Sequence, residues 1–518
     1  MTNREDRSAR NARHDKLRQS RARSPYLSIP FQTIHNSLTP VELLDGAGVE
    51  RIHDASMRIL EEFGIDFLDA EALDLWQQAG ATVDHTKRRV KMERGLVLEL
   101  VGKAPERFTW HARNPAHTIQ IGGDQVVFAP NGGTVFASDL DNGRRPGTLA
   151  DFHNFQKLVQ MTGVLHVAGE QLVVPHDVQV SQRHLERLWA GFTLTDKAMM
   201  EAAHGRVIPA DAIAAAEIIF GSPLPADGPV IGGIINANSP LRYDDRMIGG
   251  LITFARAGQV TIITPFILAG VMSPVTTAAA LAQQNAEALA GIALTQLARP
   301  GAPVIYGGFT TNVDLKSGAP AFGTPEGAWA LLLGAQMARR YRLPYRGSGT
   351  LTNAKVADAQ AATETQWSIW PCMLARTNFV MHAVGWLESG LTASLEKFVM
   401  DVEHLAMFQH FLQGIDVSDA ALALAEIGQI GPGGHHLGTQ HTLDRYTTAF
   451  YQPFLADRLA YETWELAGRF DAPMRANLLW KELLAQYEAP PLDAAKRDAL
   501  ADFIARRKRE LAGVELYR

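Results

Sequence analysis

From Thr148 to about residue 405, eight apolar, β-rich runs alternate with long helical patterns. Alternation of this kind builds parallel βαβ units. Eight such units over ~250 residues predict an α/β fold, a TIM (β/α)8 barrel, with an open doubly wound sheet as the alternative. Two flanking regions complete the picture. Short alternating runs broken by Asn-Pro, Gly-Gly and Asn-Gly-Gly precede the repeat, and a mainly helical stretch with one glycine-rich break follows it. The expected organisation is a disordered basic arm (1–35), an N-terminal α+β cap (36–147), the barrel (148–405) and a helical C-terminal extension (406–518).

The arm sets Arg4, Arg7, Arg10, Arg13, Lys16, Arg18, Arg21 and Arg23 against only Glu5, Asp6 and Asp15, with no apolar segment behind it as a secretory signal requires. Such a run reads as a solvated arm or as a docking arm for an acidic partner. Thr39, followed by Pro40 and Glu42, predicts a capped helix start. Helical spacing continues over 52–63, 70–79 and 93–101. The runs 108–111, 118–121 and 125–128 read as a small antiparallel sheet. Barrel strands are expected near 166–173, 197–202, 230–236, 260–266, 303–307, 344–347, 379–383 and 396–400. The helices between them are expected at 181–192, 211–220, 244–257, 276–298, 325–341 and 358–377. Residues that follow each strand form the active face of such a barrel, so Glu170, Glu201, Asn236, Tyr306, Arg346 and His382 are expected at one rim.

Composition narrows the function. The 518 residues carry 49 basic and 55 acidic side chains, a net charge of −6, which argues against a nucleic-acid partner. No run reaches the ~18 uninterrupted apolar residues of a membrane span. The single Cys372 excludes an intrachain disulfide framework and a multi-cysteine zinc or iron–sulfur site, and suits a reducing cytoplasm. Dinucleotide, P-loop, H-E-x-x-H and G-x-S-x-G signatures are absent.

Two segments concentrate reactive residues. Gly431-Pro-Gly-Gly-His-His-Leu-Gly-Thr-Gln-His-Thr442 packs four glycines and three histidines into twelve residues. It reads as a structural or substrate-lining loop. A metal site built on His435, His436 and His441 is the weaker reading, because two of the three are adjacent and no carboxylate sits at ligand spacing. The second segment, 345–364, runs from a strand end through Arg346-Gly-Ser-Gly into a helix. Gln360 and Glu364 share a face of that helix, with Trp367 nearby.

These two segments, with Val173-Val-Pro-His-Asp177 and Asn236-Ala-Asn-Ser-Pro-Leu241, resemble the trimethylamine methyltransferase family, in its branch without pyrrolysine. The resemblance implies a TIM-barrel enzyme that moves a methyl group from a small, betaine-like quaternary amine to the cobalt of a corrinoid (cobalamin). A separate corrinoid protein carries that group, and none is held tightly by this chain. A homo-oligomer in the cytoplasm is expected, with no metal site and no nucleic-acid or membrane partner. A methyl leaving a quaternary nitrogen yields a neutral tertiary amine, so no proton donor is required; positioning and a cation-friendly wall are. The cage candidates are Tyr306, Phe309, Tyr345 and Trp367, with Phe266 and Tyr446 behind them. Glu201 and Glu364 are the counter-charge candidates, and His382 joins them as a catalytic candidate. Arg346, His382, His435, His441 and the glycine-loop amides are candidates for a betaine carboxylate, with Gln360 and His436 as further substrate-binding candidates. The segment Gly431–Thr442 is expected to fold over the barrel mouth. The competing readings are a metal-assisted lyase or hydrolase on the same barrel and a non-catalytic quaternary-amine binding protein.

Overall fold

The computed structural model describes residues 25–514 and residue 516, so the basic cluster 4–23 lies outside the described residues. A large curled sheet organises the chain. Its parallel strands are β1 (Gln125–Phe128), β2 (Val167–Ala168), β3 (Ala198–Met200), β4 (Ile231–Ile235), β5 (Val260–Ile263), β6 (Val304–Gly307), β7 (Tyr345–Ser348) and β8 (Phe379–Met381). They lie in the order β2-β3-β4-β5-β6-β7-β8-β1, every neighbouring pair parallel. The two ends of this order meet at His166. Its N–H donates to the Phe128 carbonyl (2.9 Å), and its Nδ1 accepts from the Phe128 N–H (3.0 Å).

A helix follows each strand: α1 (Leu149–Met161), α2 (Arg183–Leu194), α3 (Val207–Phe220), α4 (Asp245–Arg256), α5 (Thr277–Ala298), α6 (Pro325–Arg340), α7 (Ala359–Leu374) and α8 (Leu395–Phe411). Their starts are locally encoded. Thr148 and Asp151 form a reciprocal capping box on α1, Thr324 caps α6 with Pro325 behind it, and Asp358 caps α7.

Side chains alternate across each strand, and the two faces have separate cores. Val127, Val167, Met200, Ile262, Ile305 and Phe379 point inward. Met199, Ile263, Val304, Tyr306 and Tyr345 point outward against the helices. The inner floor is closed by Trp110, from the antiparallel pair Phe108–Trp110 and Ile119–Ile121. Its ring stacks on Phe379 at 6.0 Å. It comes so near β4 that a Cβ on Gly232 would meet it at 2.5 Å, which is why a glycine stands there. After α8 the chain forms a long exposed excursion. It then returns as α9 (Ala472–Ala485) and α10 (Ala494–Glu510), which pack outside α8 and outside α2 and α3.

Four sequence expectations need correction. Residues 125–128 do not stay in a small antiparallel sheet with 108–110 and 119–121; they form β1, parallel to β8. The run 396–400 is not a strand. It opens α8, where Ser394 caps the helix and Lys397 pairs with Asp401 one turn on, at 2.7 Å. Residues 25–35 are packed: Tyr26 is fully buried edge-on to Phe454 (5.2 Å), and Ile34–His35 pairs antiparallel with β1. The helix expected at Thr39 starts instead at Gly46, capped by Asp45. Before it, Val41 N–H is claimed by the Leu374 carbonyl, and the N–H groups of Leu43 and Leu44 by Gln336 Oε1. Those distant partners hold the segment extended.

Candidate active site

Residues at or beyond the C-terminal ends of all eight strands surround one cavity of about 410 Å³: Gly132, Gly133, Glu170, Gln171, His204, Ile234, Asn236, Ala237, Thr264, Phe266, Met272, Phe309, Arg346, Met381 and His382. The volume suits a small ligand.

Arg346 dominates its electrostatics. The residue belongs to β7 and has the inward parity, opposite to Tyr345. It is 1% exposed. Nη1 donates to the Gly308 carbonyl at 3.3 Å, the guanidinium lies 5.2 Å from the Phe309 ring centre, and Nε is buried without a partner. Among the described residues no carboxylate lies within 4.0 Å of it. Burial pulls its pKa down to about 10, which leaves it charged at neutral pH. A buried cation without a counter-ion is costly; here its open side is the cavity.

An aromatic wall adjoins it. Phe309 lies 5.0 Å from Phe266, 5.3 Å from His382 and 5.7 Å from Phe322, and His382 stacks on Trp386 at 5.2 Å. Strand parity would turn His382 outward. Its φ of 53°, rare for a non-glycine residue, turns it to the rim instead, with Nδ1 3.1 Å from Ser348 Oγ. Burial drives its pKa well below the usual range, so the ring is neutral. Glu170 is the carboxylate on the lining. It follows β2, at one end of the sheet order, whereas Arg346 lies on β7, third from the other end.

The other sequence candidates divide. Glu201 has outward parity. It is buried beneath α2, Oε2 has no partner, and burial raises its pKa to about 8, so it is protonated at neutral pH. A Cβ on Gly191 of α2 would lie 3.7 Å from its Oε1. Tyr306 and Tyr345 are corrections as cage residues. Both are buried on the helix side, where Tyr306 Oη donates to Asn285 Oδ1 (3.0 Å) and the Tyr345 hydroxyl fills the space left by Gly308 and Gly334. Glu364 and Gln360 are likewise outside the cavity. Glu364 Oε2 accepts from Thr352 Oγ1 (2.5 Å) and the Asn353 N–H (2.7 Å), while Gln360 Nε2 donates to Oε1 (2.9 Å), which clamps the loop after β7. Trp367 borders a separate cleft of about 40 Å³, and Tyr446 is exposed.

His435 and His436 are exposed. His441 borders a surface hollow of about 240 Å³ with Asp419, Asp444 and Arg445. None of the three lines the cavity, so Gly431–Thr442 does not cover the mouth formed by its own chain. Among the described residues no group of three or more His, Cys, Asp or Glu side chains could hold a metal ion. Sequence reasoning missed His204 and Thr264, while the pair Glu170-Gln171 is expected at the active face. His204 follows β3 directly before a glycine, the same strand-end signal that marked its neighbours.

Comparison with known proteins fits this chemistry. A glycine betaine methyltransferase from Desulfitobacterium hafniense (strain Y51) is 39% identical over 464 residues, 89% of this chain and 96% of that protein. The trimethylamine methyltransferase MttB of D. hafniense (strain DSM 10664 / DCB-2) is 30% identical over 85% of this chain and 89% of its own length. The crystal structure of the Methanosarcina barkeri monomethylamine methyltransferase (MtmB) aligns with 90% of this chain and 91% of that one, at a TM-score of 0.47 and 10% identity. The profile of the trimethylamine methyltransferase (MTTB) family matches residues 6–512, nearly the whole chain, and this chain therefore belongs to that family of methyltransferases.

Proposed function

We propose that the chain demethylates a small quaternary amine that also carries a carboxylate, of the glycine betaine class, and passes the methyl group to the cobalt of a corrinoid held by a separate protein. The fold in this reading is a closed (β/α)8 barrel, supported by the His166–Phe128 pair that links β2 to β1. The single observation that carries the reading is Arg346: a buried guanidinium, without a carboxylate of its own, facing a cavity with an aromatic wall. A carboxylate from the substrate would supply the missing counter-ion by a charge-assisted, two-pronged contact. The trimethylammonium end would then meet Phe309, Phe266 and the neutral His382 ring, with Glu170 as the opposing charge.

The reaction is a displacement at carbon. The N–CH3 bond breaks with its electron pair going to nitrogen, and dimethylglycine leaves as a neutral amine with its carboxylate intact. No proton is moved, which suits a lining whose two histidines, His382 and His204, are both held below the usual histidine range by burial. Reduced corrinoid supplies the electron pair that accepts the methyl group. This chain's own contribution is to fix the methyl in line and to exclude water.

Calorimetry with glycine betaine and with tetramethylammonium, which lacks the carboxylate, tests the reading. Glycine betaine is expected to bind the wild type at least tenfold more tightly. Methyl transfer to reduced cobalamin, read by mass spectrometry of dimethylglycine, completes the test. Equal affinity for the two ligands, or no demethylated product, would overturn it.

A further inference from the structure

The excursion between α8 and α9 is folded but has nothing to fold against. From residue 413 to residue 454 no residue is buried, yet the stretch contains short helices at Asp419–Leu422, Leu424–Ile430 and Gln440–Arg445. Its large apolar side chains face solvent: Ile415 is 91% exposed, Leu437 79% and Phe450 73%, with Leu424 and Tyr446 close behind. Helices this short do not hold together in water on propensity alone. Only five charged residues fall between Gln413 and Phe450: Asp416, Asp419, Glu426, Asp444 and Arg445.

The apolar surface continues onto the body. On α7 and α8, Trp367, Trp370, Met407 and Phe411 are each a third to a half exposed, and Trp370 packs edge-on to Phe408 (4.7 Å) and Phe411 (5.7 Å). Phe411 leads directly into Ile415. The exposed apolar residues of α8 thus lead along the chain into those of the excursion. The excursion also leaves at the end of the molecule away from the cavity. Gln409 donates to the Pro30 carbonyl, and that segment packs on Gly163, which precedes β2. It is pinned again where Glu403 accepts from Tyr451 Oη and from the N–H groups of Phe454, Leu455 and Ala456.

We infer that the stretch 413–450 is an arm that packs on a second copy of this chain, against the partner's α7–α8 face, while the partner's arm packs reciprocally. Area argues for it. Ten or so exposed large apolar residues at roughly 100 Å² each amount to on the order of 1,000 Å² per copy, what a stable dimer buries. Continuity argues for a second copy in particular: one chain carries both sets of exposed apolar residues, joined in sequence at Phe411 and Ile415, so two copies can each offer an arm and a receiving face in an isologous two-fold contact. A protein that must come and go during methyl transfer would meet a smaller, more polar surface; a permanently paired copy tolerates one this apolar.

Light scattering after gel filtration of the full chain tests this, with no dependence on any substrate. The wild type is expected at twice the monomer mass. Leu424→Asp with Phe450→Asp, and separately Trp367→Asp, should each weaken the dimer a hundredfold or more. Leu98→Asp, at an exposed apolar position on the helix Arg94–Val101 that packs against α5, should leave it intact. Hydrogen exchange on diluted wild type gives a readout free of mutation: exchange should rise within 413–450 and on α7 and α8. A monomer at all concentrations would overturn the inference. So would an oligomer that survives the arm and Trp367 variants, or whose dilution leaves exchange in 413–450 unchanged.

Discussion

The cavity around Arg346 and the segment Gly431–Thr442 draw on the same chemical vocabulary, cations, histidines and glycines, and come to opposite ends. Arg346 and His382 are buried on neighbouring strands, where each has lost most of its water and one has lost its counter-ion. His435 and His436 stand in solvent on an arm with no buried residue. The difference teaches that density of reactive residues along the chain is a poor guide to a site. What gives a side chain chemical leverage is desolvation, because a charge or hydrogen bond strengthens as the local dielectric falls.

The sharpest way to break that comparison is to remove the buried charge. Arg346→Gln should weaken glycine betaine binding 100- to 1,000-fold, consistent with about 3–4 kcal/mol for truncating one partner of a desolvated charge pair. Tetramethylammonium binding should hold or improve; calorimetry on both ligands reads the contrast.

Glu201 gives the next largest effect, on stability. Its pKa is raised from 4.5 to about 8 in the folded chain, so its protonated form stabilises the fold fully below pH 4.5. That contribution is lost as pH rises toward and through 8, several kcal/mol in all. Glu201→Gln should therefore raise Tm at pH 8 and flatten the decline between pH 5 and 8, with little change at pH 5.

Glu364 tests whether a positioning role is separable from binding. Glu364→Ala leaves Thr352 Oγ1 and the Asn353 N–H without their acceptor and should cost about 2 kcal/mol of stability by thermal melting. Its effect on ligand affinity should be smaller than that of Arg346→Gln. Phe309→Ala should weaken glycine betaine and tetramethylammonium alike, by about 1 kcal/mol or roughly fivefold, because it removes a cation-facing ring and leaves the carboxylate contact in place. At the bottom of the scale, His435→Ala and His436→Ala should leave glycine betaine affinity within twofold. A larger loss would erase the distinction between the two regions.

The sequence by itself determined the strand–helix rhythm from β2 to α8, because apolar periodicity and helix caps are local properties, and it carried the family's motifs. It also brought Glu170, Asn236, Phe309, Arg346 and His382 forward, since polar residues directly after a strand share one end of a parallel sheet whatever the register. Only the tertiary structure decided which face each residue takes. Tyr345 and Arg346 are adjacent, yet one is packed against helices and the other faces the cavity, a choice set by one step of strand parity that composition does not reveal. Gln125–Phe128 had no local mark of its partner. It is parallel because β8, more than 250 residues on, pairs with it, and the His166 pair with Phe128 ties it to β2. The same dependence on distant partners placed Glu364 on a loop clamp and left Gly431–Thr442 outside the cavity, since burial is a property of what a residue packs against and not of the residues beside it in the chain.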